Sequence, residues 1–128
     1  TLTTVGEDGV PYATPINFVY INDALYFHCA KEGHKIDNIK YNDKVCFNVV
    51  DWVELMPEKF ATKFRSAMVF GKIEIVEDAE EKRMGISAIA EKFSPDYHDE
   101  GVKYIDSAFD DIHMLKLTID RITGKAAR

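Results

Sequence analysis

The stretch Tyr26-Phe27-His28-Cys29-Ala30-Lys31-Glu32-Gly33-His34-Lys35 holds the densest chemistry in the chain. A β-favouring run ends in a glycine turn, and a short helical pattern follows. The first N–H groups of a helix lack intrahelical partners and carry partial positive charge, so they favour an anion. Gly33 lets backbone approach such a group closely. Lys35 has the wrong sign for a first helical turn. A bound phosphate would attract both the lysine and the helix end; a solvated lysine on a surface helix is the plainer alternative. His28 could donate a hydrogen bond or a proton to a ligand, or be an ordinary hydrogen-bonded histidine at a strand end. His28, Cys29 and His34 do not suit a metal, because adjacent strand residues point to opposite faces and no second ligand pair follows.

Three other segments could add contacts. In Tyr12-Ala13-Thr14-Pro15-Ile16-Asn17-Phe18, Pro15 cannot donate to a sheet ladder. The backbone groups it frees could meet the edge of a flat heterocycle, with Thr14 and Asn17 adding side-chain hydrogen bonds. An edge strand whose proline blocks aggregation fits the same residues. Arg65 and Ser66, at the start of a strand, could contact phosphate or ribityl oxygens. Ile122-Thr123-Gly124-Lys125 reads as a short cationic tail, without the longer glycine-rich loop of a P-loop. No Gly-x-Ser-x-Gly elbow and no Gly-x-Gly-x-x-Gly after a strand occurs. Asp96, His98, Asp99 and Glu100 read as a solvated acidic loop.

These residues need elements to hold them. The chain has 128 residues, the length of a single domain over 1–128. It begins at Thr1 within a strand-like pattern, so the native N-terminus is expected to be missing. Period-two alternation predicts β-runs at Leu2–Val5, Val10–Ile21, Ala24–Ala30, Lys44–Val50, Phe64–Val76 and Ile112–Ile122. Gly71 inside the fifth marks a bulge or bend. Residues 34–41 read as a short helix. Asp78 and Glu81 have capping-box spacing ahead of a helix to about Phe93. Asp51–Lys63 reads as a connection, and Tyr97–Asp111 as polar and partly helical. Six runs close in sequence, with two inserted helices, predict a mainly β (α+β) antiparallel barrel carrying helices, closed against edge pairing. Phe18, Tyr20, Tyr26, Met68 and Phe70 are expected on its outer face, and so much apolar surface predicts a homodimer.

Composition excludes several classes. Sixteen Lys and Arg against 22 Asp and Glu give −6, the wrong sign for nucleic acid. No apolar run approaches bilayer length. Two cysteines do not make a disulfide framework, so a cytoplasmic setting is expected.

The segments Gly9–Tyr12, Pro15–Phe18, Leu25–Ala30 with Gly33-His34-Lys35, Val45–Phe47, Arg65-Ser66 through Gly71, and Ile122–Lys125, in this order, resemble the pyridoxamine 5'-phosphate oxidase-like FMN-binding split β-barrel family. The likeness is to its nitroimidazole-resistance subgroup. The resemblance implies a six-stranded antiparallel split β-barrel and a homodimer with FMN at the subunit interface. It places Thr14, Pro15, Ile16 and Asn17 along the isoalloxazine edge, and His28, Cys29 and Ala30 along the flavin and its ribityl chain. Lys35, beyond Gly33, would hold the phosphate; Ser66 and Arg65 would add contacts, and Lys125 would close the site. His34 stands where relatives often have Arg. Arg121 and Arg128 do not reproduce the substrate-binding Arg and His of the vitamin B6 oxidase itself. The implied activity is FMN-dependent reduction of a small flat organic molecule, with His28 as the catalytic candidate. A non-catalytic flavin or haem module of the same fold and a deazaflavin-dependent relative are the alternatives.

Overall fold

A computed structural model describes residues 1–127. Arg128 therefore lies outside the described residues. The strands are β1 (Leu2–Val5), β2 (Pro11–Thr14), β3 (Val19–Ile21), β4 (Ala24–Ala30), β5 (Lys44–Met56), β6 (Ala61–Ile75) and β7 (Ile112–Ala127). The helices are α1 (His34–Tyr41), α2 (Ala79–Phe93) and α3 (His98–Ala108). All strand pairs are antiparallel, in the order β2-β1-β5-β6-β7-β4-β3.

The sheet has seven strands rather than six and is not closed: β2 and β3 are its two edges. The run Val10–Ile21 divides because Pro15 lacks the N–H a ladder needs. Pro15–Phe18 then carries the chain from one sheet edge to the other. That crossing is where the barrel is split. The bulge falls at the glycine, with the β6–β7 register shifting between Phe70 and Gly71.

Two apolar clusters lie on the two faces of the sheet. Leu25, Phe27, Phe47, Val69 and Leu115 fill the barrel with Ile36 and Ile39 of α1. Phe47 meets Phe27 and Phe18 edge-on, at centroid distances of 5.0 Å each. Each fully buried side chain of this size contributes about 1.5–3 kcal/mol. Tyr26, Met114, Ile86, Ile89 and Ile105 form the second cluster beneath α2 and α3. Tyr26 is thus buried rather than on an outer face, while Phe18 and Phe70 are half-buried. The helices convert what a bare barrel would expose into a second core.

Asp78 caps α2 by accepting from the Glu81 N–H at 2.8 Å. The Glu81 side chain does not complete the box. It accepts from the Tyr26 hydroxyl at 2.6 Å and lies 3.2 Å from Lys116 Nζ, tying α2 to β4 and β7. Burial and this hydrogen bond push the Tyr26 hydroxyl above its ordinary pKa.

Residues 51–63 are not a connection. β5 runs to Met56, a 3-10 turn covers Pro57–Lys59, and β6 starts at Ala61, making a long hairpin arm. Residues 97–111 are mostly α3. Gly101 sits in that helix with no atom within 4 Å of an added Cβ. Gly101→Ala should therefore raise unfolding free energy by about 0.5–1 kcal/mol, measured by denaturant titration.

Candidate functional site

β4 ends at Ala30, and α1 begins at His34 after three intervening residues. Gly33 joins them at φ 142°, a conformation that side chains strain, and a Cβ there would meet nothing within 4 Å. The corner is open above bare backbone. No side chain caps α1. The first N–H bonded is that of Asp37, which donates to the Gly33 carbonyl at 3.0 Å. The amides of His34, Lys35 and Ile36 therefore have no intrahelical acceptor. Lys35 is half-buried beside them, and no carboxylate pairs with it among the described residues.

The corner is held from two sides. The His34 ring packs against Tyr12 of β2, centroids 4.2 Å apart and planes 34° apart. Buried Asn38 Nδ2 donates to Thr4 Oγ1 at 3.0 Å, fixing α1 to β1. Gly6 lies against Asn38 with no room for a Cβ.

His28 projects from the face of β4 that α2 and α3 cover. Its Nδ1 is sealed from solvent without a hydrogen-bond partner. Burial first, and then the charge of Lys35, hold its pKa below the ordinary imidazole value. The ring is neutral at pH 7. Cys29, on the opposite face, is half-buried; burial pushes its thiol pKa up, against the smaller opposing effect of Lys35. It stays a thiol at neutral pH and is a poor nucleophile.

The depressed pKa of His28 has a stability consequence. The unfolded chain binds the proton near pH 6.5 and the folded chain only below that, so acid favours unfolding. Stability should be fully present above pH 6.5 and fall as pH drops through the window between the two values. His113, lowered by burial and by Lys31, Lys40 and Lys82, acts in the same sense. His28→Gln should flatten the slope between pH 7 and 5, read from urea midpoints.

Thr14 closes β2 opposite Leu2, and its Oγ1 is also sealed without a partner. Lys92 pins the crossing segment: its Nζ donates to the Phe18 carbonyl at 2.7 Å and lies 3.6 Å from that ring's centroid. This brings Asn17 to His28. Together they line a cavity of about 390 Å³ between β4, α2 and α3.

Arg65, Ser66 and Lys125 form a separate group. Ser66 pairs with Lys125 and Arg65 with Ala126 in the β6–β7 ladder. Lys125 is thus inside β7 and not on a tail, with its Nζ 5.6 Å from the Phe64 ring centroid. Arg65 already pairs with Asp51 at 2.7 Å, an exposed contact of small energetic weight. Ala30 faces Ile112 at the other end of β7. The strand contour between the two groups is roughly 40 Å. Arg65, Ser66 and Lys125 thus stand toward one end of β7, and Ala30 faces the other.

The sequence reading missed Tyr12 as the support of His34, and the aromatic wall that α3 adds to the cavity. The second had a visible signal: Tyr97, Gly101, Tyr104 and Ile105 recur at helical spacing.

The sequence model of the family described as pyridoxamine 5'-phosphate oxidase matches residues 2–126. A solved structure of a candidate 5-nitroimidazole antibiotic resistance protein from Bacteroides thetaiotaomicron is 33% identical. It superposes with a TM-score of 0.76 over 98% of this chain and 74% of that one. HutZ, the heme storage protein of Vibrio cholerae, is 18% identical with a TM-score of 0.72, over 98% and 82% of the two chains. A FAD and heme binding protein from Mycobacterium smegmatis is 21% identical with a TM-score of 0.75, over 99% and 64%. The last two likenesses are of fold alone. No curated protein matches the chain.

Proposed function

The chain belongs to the pyridoxamine 5'-phosphate oxidase family, and from that premise we propose that it binds FMN and reduces a small flat organic molecule. The observation that carries this reading is the open Gly33 corner, where unpaired α1 amides and an unpaired Lys35 meet. A phosphate monoester satisfies both features: the amides donate to its oxygens and Lys35 offsets its charge. Bound there, FMN would supply hydride and electron transfer. The chain's own part is to anchor the phosphate, orient the ring system along Thr14–Asn17, and present neutral His28 as a proton-bearing group.

The cofactor lies between two copies in this proposal. Arg65, Ser66 and Lys125 stand toward the end of β7 away from Ala30, and in this reading they serve the partner's corner. The β5–β6 arm supports this. Val50, Val53 and Leu55 are exposed on it, and Phe60 at its tip is 99% exposed. Apolar surface on this scale marks an association surface. Activity as the vitamin B6 oxidase is not part of the proposal: Arg121 is engaged over the Phe70 ring at 4.5 Å.

One absorption spectrum of the purified protein, before and after FMN addition, tests the reading. Flavin bands that co-elute with a dimer are expected; a colourless protein that leaves FMN fluorescence unquenched overturns it. A Soret band would instead favour a haem module, the second reading that the two haem-associated relatives raise.

A further inference from the structure

We propose that Lys92 is a positioning residue: from the last turn of α2 it latches residues 15–18, the segment that would face the flavin ring, and so sets how that ring is seated without touching it. Its bearing on a cofactor rests on the flavin reading above; the latch itself does not.

The segment has little else to hold it. β2 ends at Thr14 and β3 starts at Val19, so residues 15–18 belong to no ladder, and Pro15 has no N–H to offer one. Among the described residues, one hydrogen bond reaches this segment: Lys92 Nζ donates to the Phe18 carbonyl at 2.7 Å. Ile16 and Phe18 pack against the barrel core, with the Phe18 ring edge-on to Phe47. Asn17 stands between them and lines the cavity it shares with His28. Phe18 is therefore held at two points, its ring by Phe47 and its carbonyl by Lys92. Release of the second point frees the peptide that carries Asn17.

A lysine in the last turn of a helix ordinarily answers that helix's own free carbonyls. Lys92 reaches across to another segment instead, its Nζ 3.6 Å from the Phe18 ring centroid and 5.0 Å from that of Phe93. No carboxylate pairs with it among the described residues. Its ammonium thus faces two aromatic rings and a carbonyl. The carbonyl needs a donor and the rings favour a cation. Arginine supplies both; methionine keeps the apolar stem and supplies neither. Lys92 is exposed and does not line the cavity. An exposed hydrogen bond of this kind adds little to global stability, so its loss loosens the segment and leaves the fold intact.

The test compares the full chain with Lys92→Met and Lys92→Arg, first without cofactor. In Lys92→Met the NMR order parameters of the Ile16 and Asn17 amides should fall from about 0.85 to below about 0.6, while those of β4 stay unchanged. Lys92→Arg should keep the parent values, and both variants should melt within a few degrees of the parent. FMN and lumiflavin, the same ring system without the ribityl phosphate, are then titrated by fluorescence quenching. A change in ring seating weakens both alike, whereas loss of a positive charge weakens only the phosphate-bearing one. We expect Lys92→Met to weaken each by about fivefold, the worth of one hydrogen bond. Lys92→Arg should stay within about twofold of the parent for both, because it keeps donor and cation. Unchanged order parameters, a loss confined to FMN, or a Lys92→Met chain that melts far below the parent overturns the proposal. A parent that binds neither flavin overturns the flavin reading, and the order parameters alone then decide the latch. Flavin binding beside unchanged order parameters overturns the latch alone.

Discussion

Lys35→Ala should weaken FMN binding by about 1.5–3 kcal/mol, roughly ten- to 150-fold in Kd, the range of a charge-assisted hydrogen bond. Three facts argue for the upper part of that range. Lys35 is half-buried, so its charge is less screened than that of a surface lysine. No carboxylate neutralises it among the described residues. The helix that carries it is locked to β1 by Asn38 and Thr4, so little ordering is needed on binding. Fluorescence quenching of FMN at two salt concentrations measures the loss. An unchanged Kd would remove Lys35 from the phosphate site. The variant should also raise the pKa of His28, since one of the two influences holding it down is gone. That shift, read by NMR, shows the lysine acting across the corner even where FMN is left out.

Gly71→Val should cost about 3 kcal/mol or more and leave much of the chain unfolded at 37 °C. A Cβ at this position would run into the Thr118 carbonyl and the Leu117 side chain. The carbonyl is backbone in the neighbouring strand and cannot rotate away. Leu117 is fully buried in the barrel core, so it has nowhere to go. Overpacking of this kind usually costs 1–3 kcal/mol, and a backbone neighbour puts it at the high end. The position is also the β6–β7 bulge, so the change would strain both the register and the bend. Thermal unfolding by circular dichroism measures it; a Tm within a few degrees of the parent would contradict the account.

The contrast between these glycines shows what a sequence discloses. Gly71 inside an alternating run announces a bulge, and Gly33 after a strand announces the turn that opens α1. Both follow from local backbone chemistry. The α1 span, the α2 cap at Asp78 and most of the β-runs along the chain were legible for the same reason. Three things were not. The arm at 51–63 lacks a burial period because neither face is covered in one chain, so a strand there looks like a connection. Pro15 announced an interruption, but not that the chain would cross between sheet edges and leave the barrel unclosed. Tyr26 looked like outer surface because nothing local reveals that α2 and α3 fold over it. At the candidate site, the Gly33 corner is local and was readable. The placement of Arg65, Ser66 and Lys125 at the far end of β7 depends on strand pairing over the whole sheet.

β4 is buried from Ala24 to Phe27, paired with β7 along its whole length and with β3 over Ala24–Tyr26. Its amides around Tyr26 and Phe27 can meet solvent deuterium only when the entire molecule opens. They should therefore be among the slowest-exchanging in the chain. His28 and the Gly33 turn hang from the end of this most protected strand. Loss of a bound ligand should leave that end no more mobile than before, so reloading needs no refolding step.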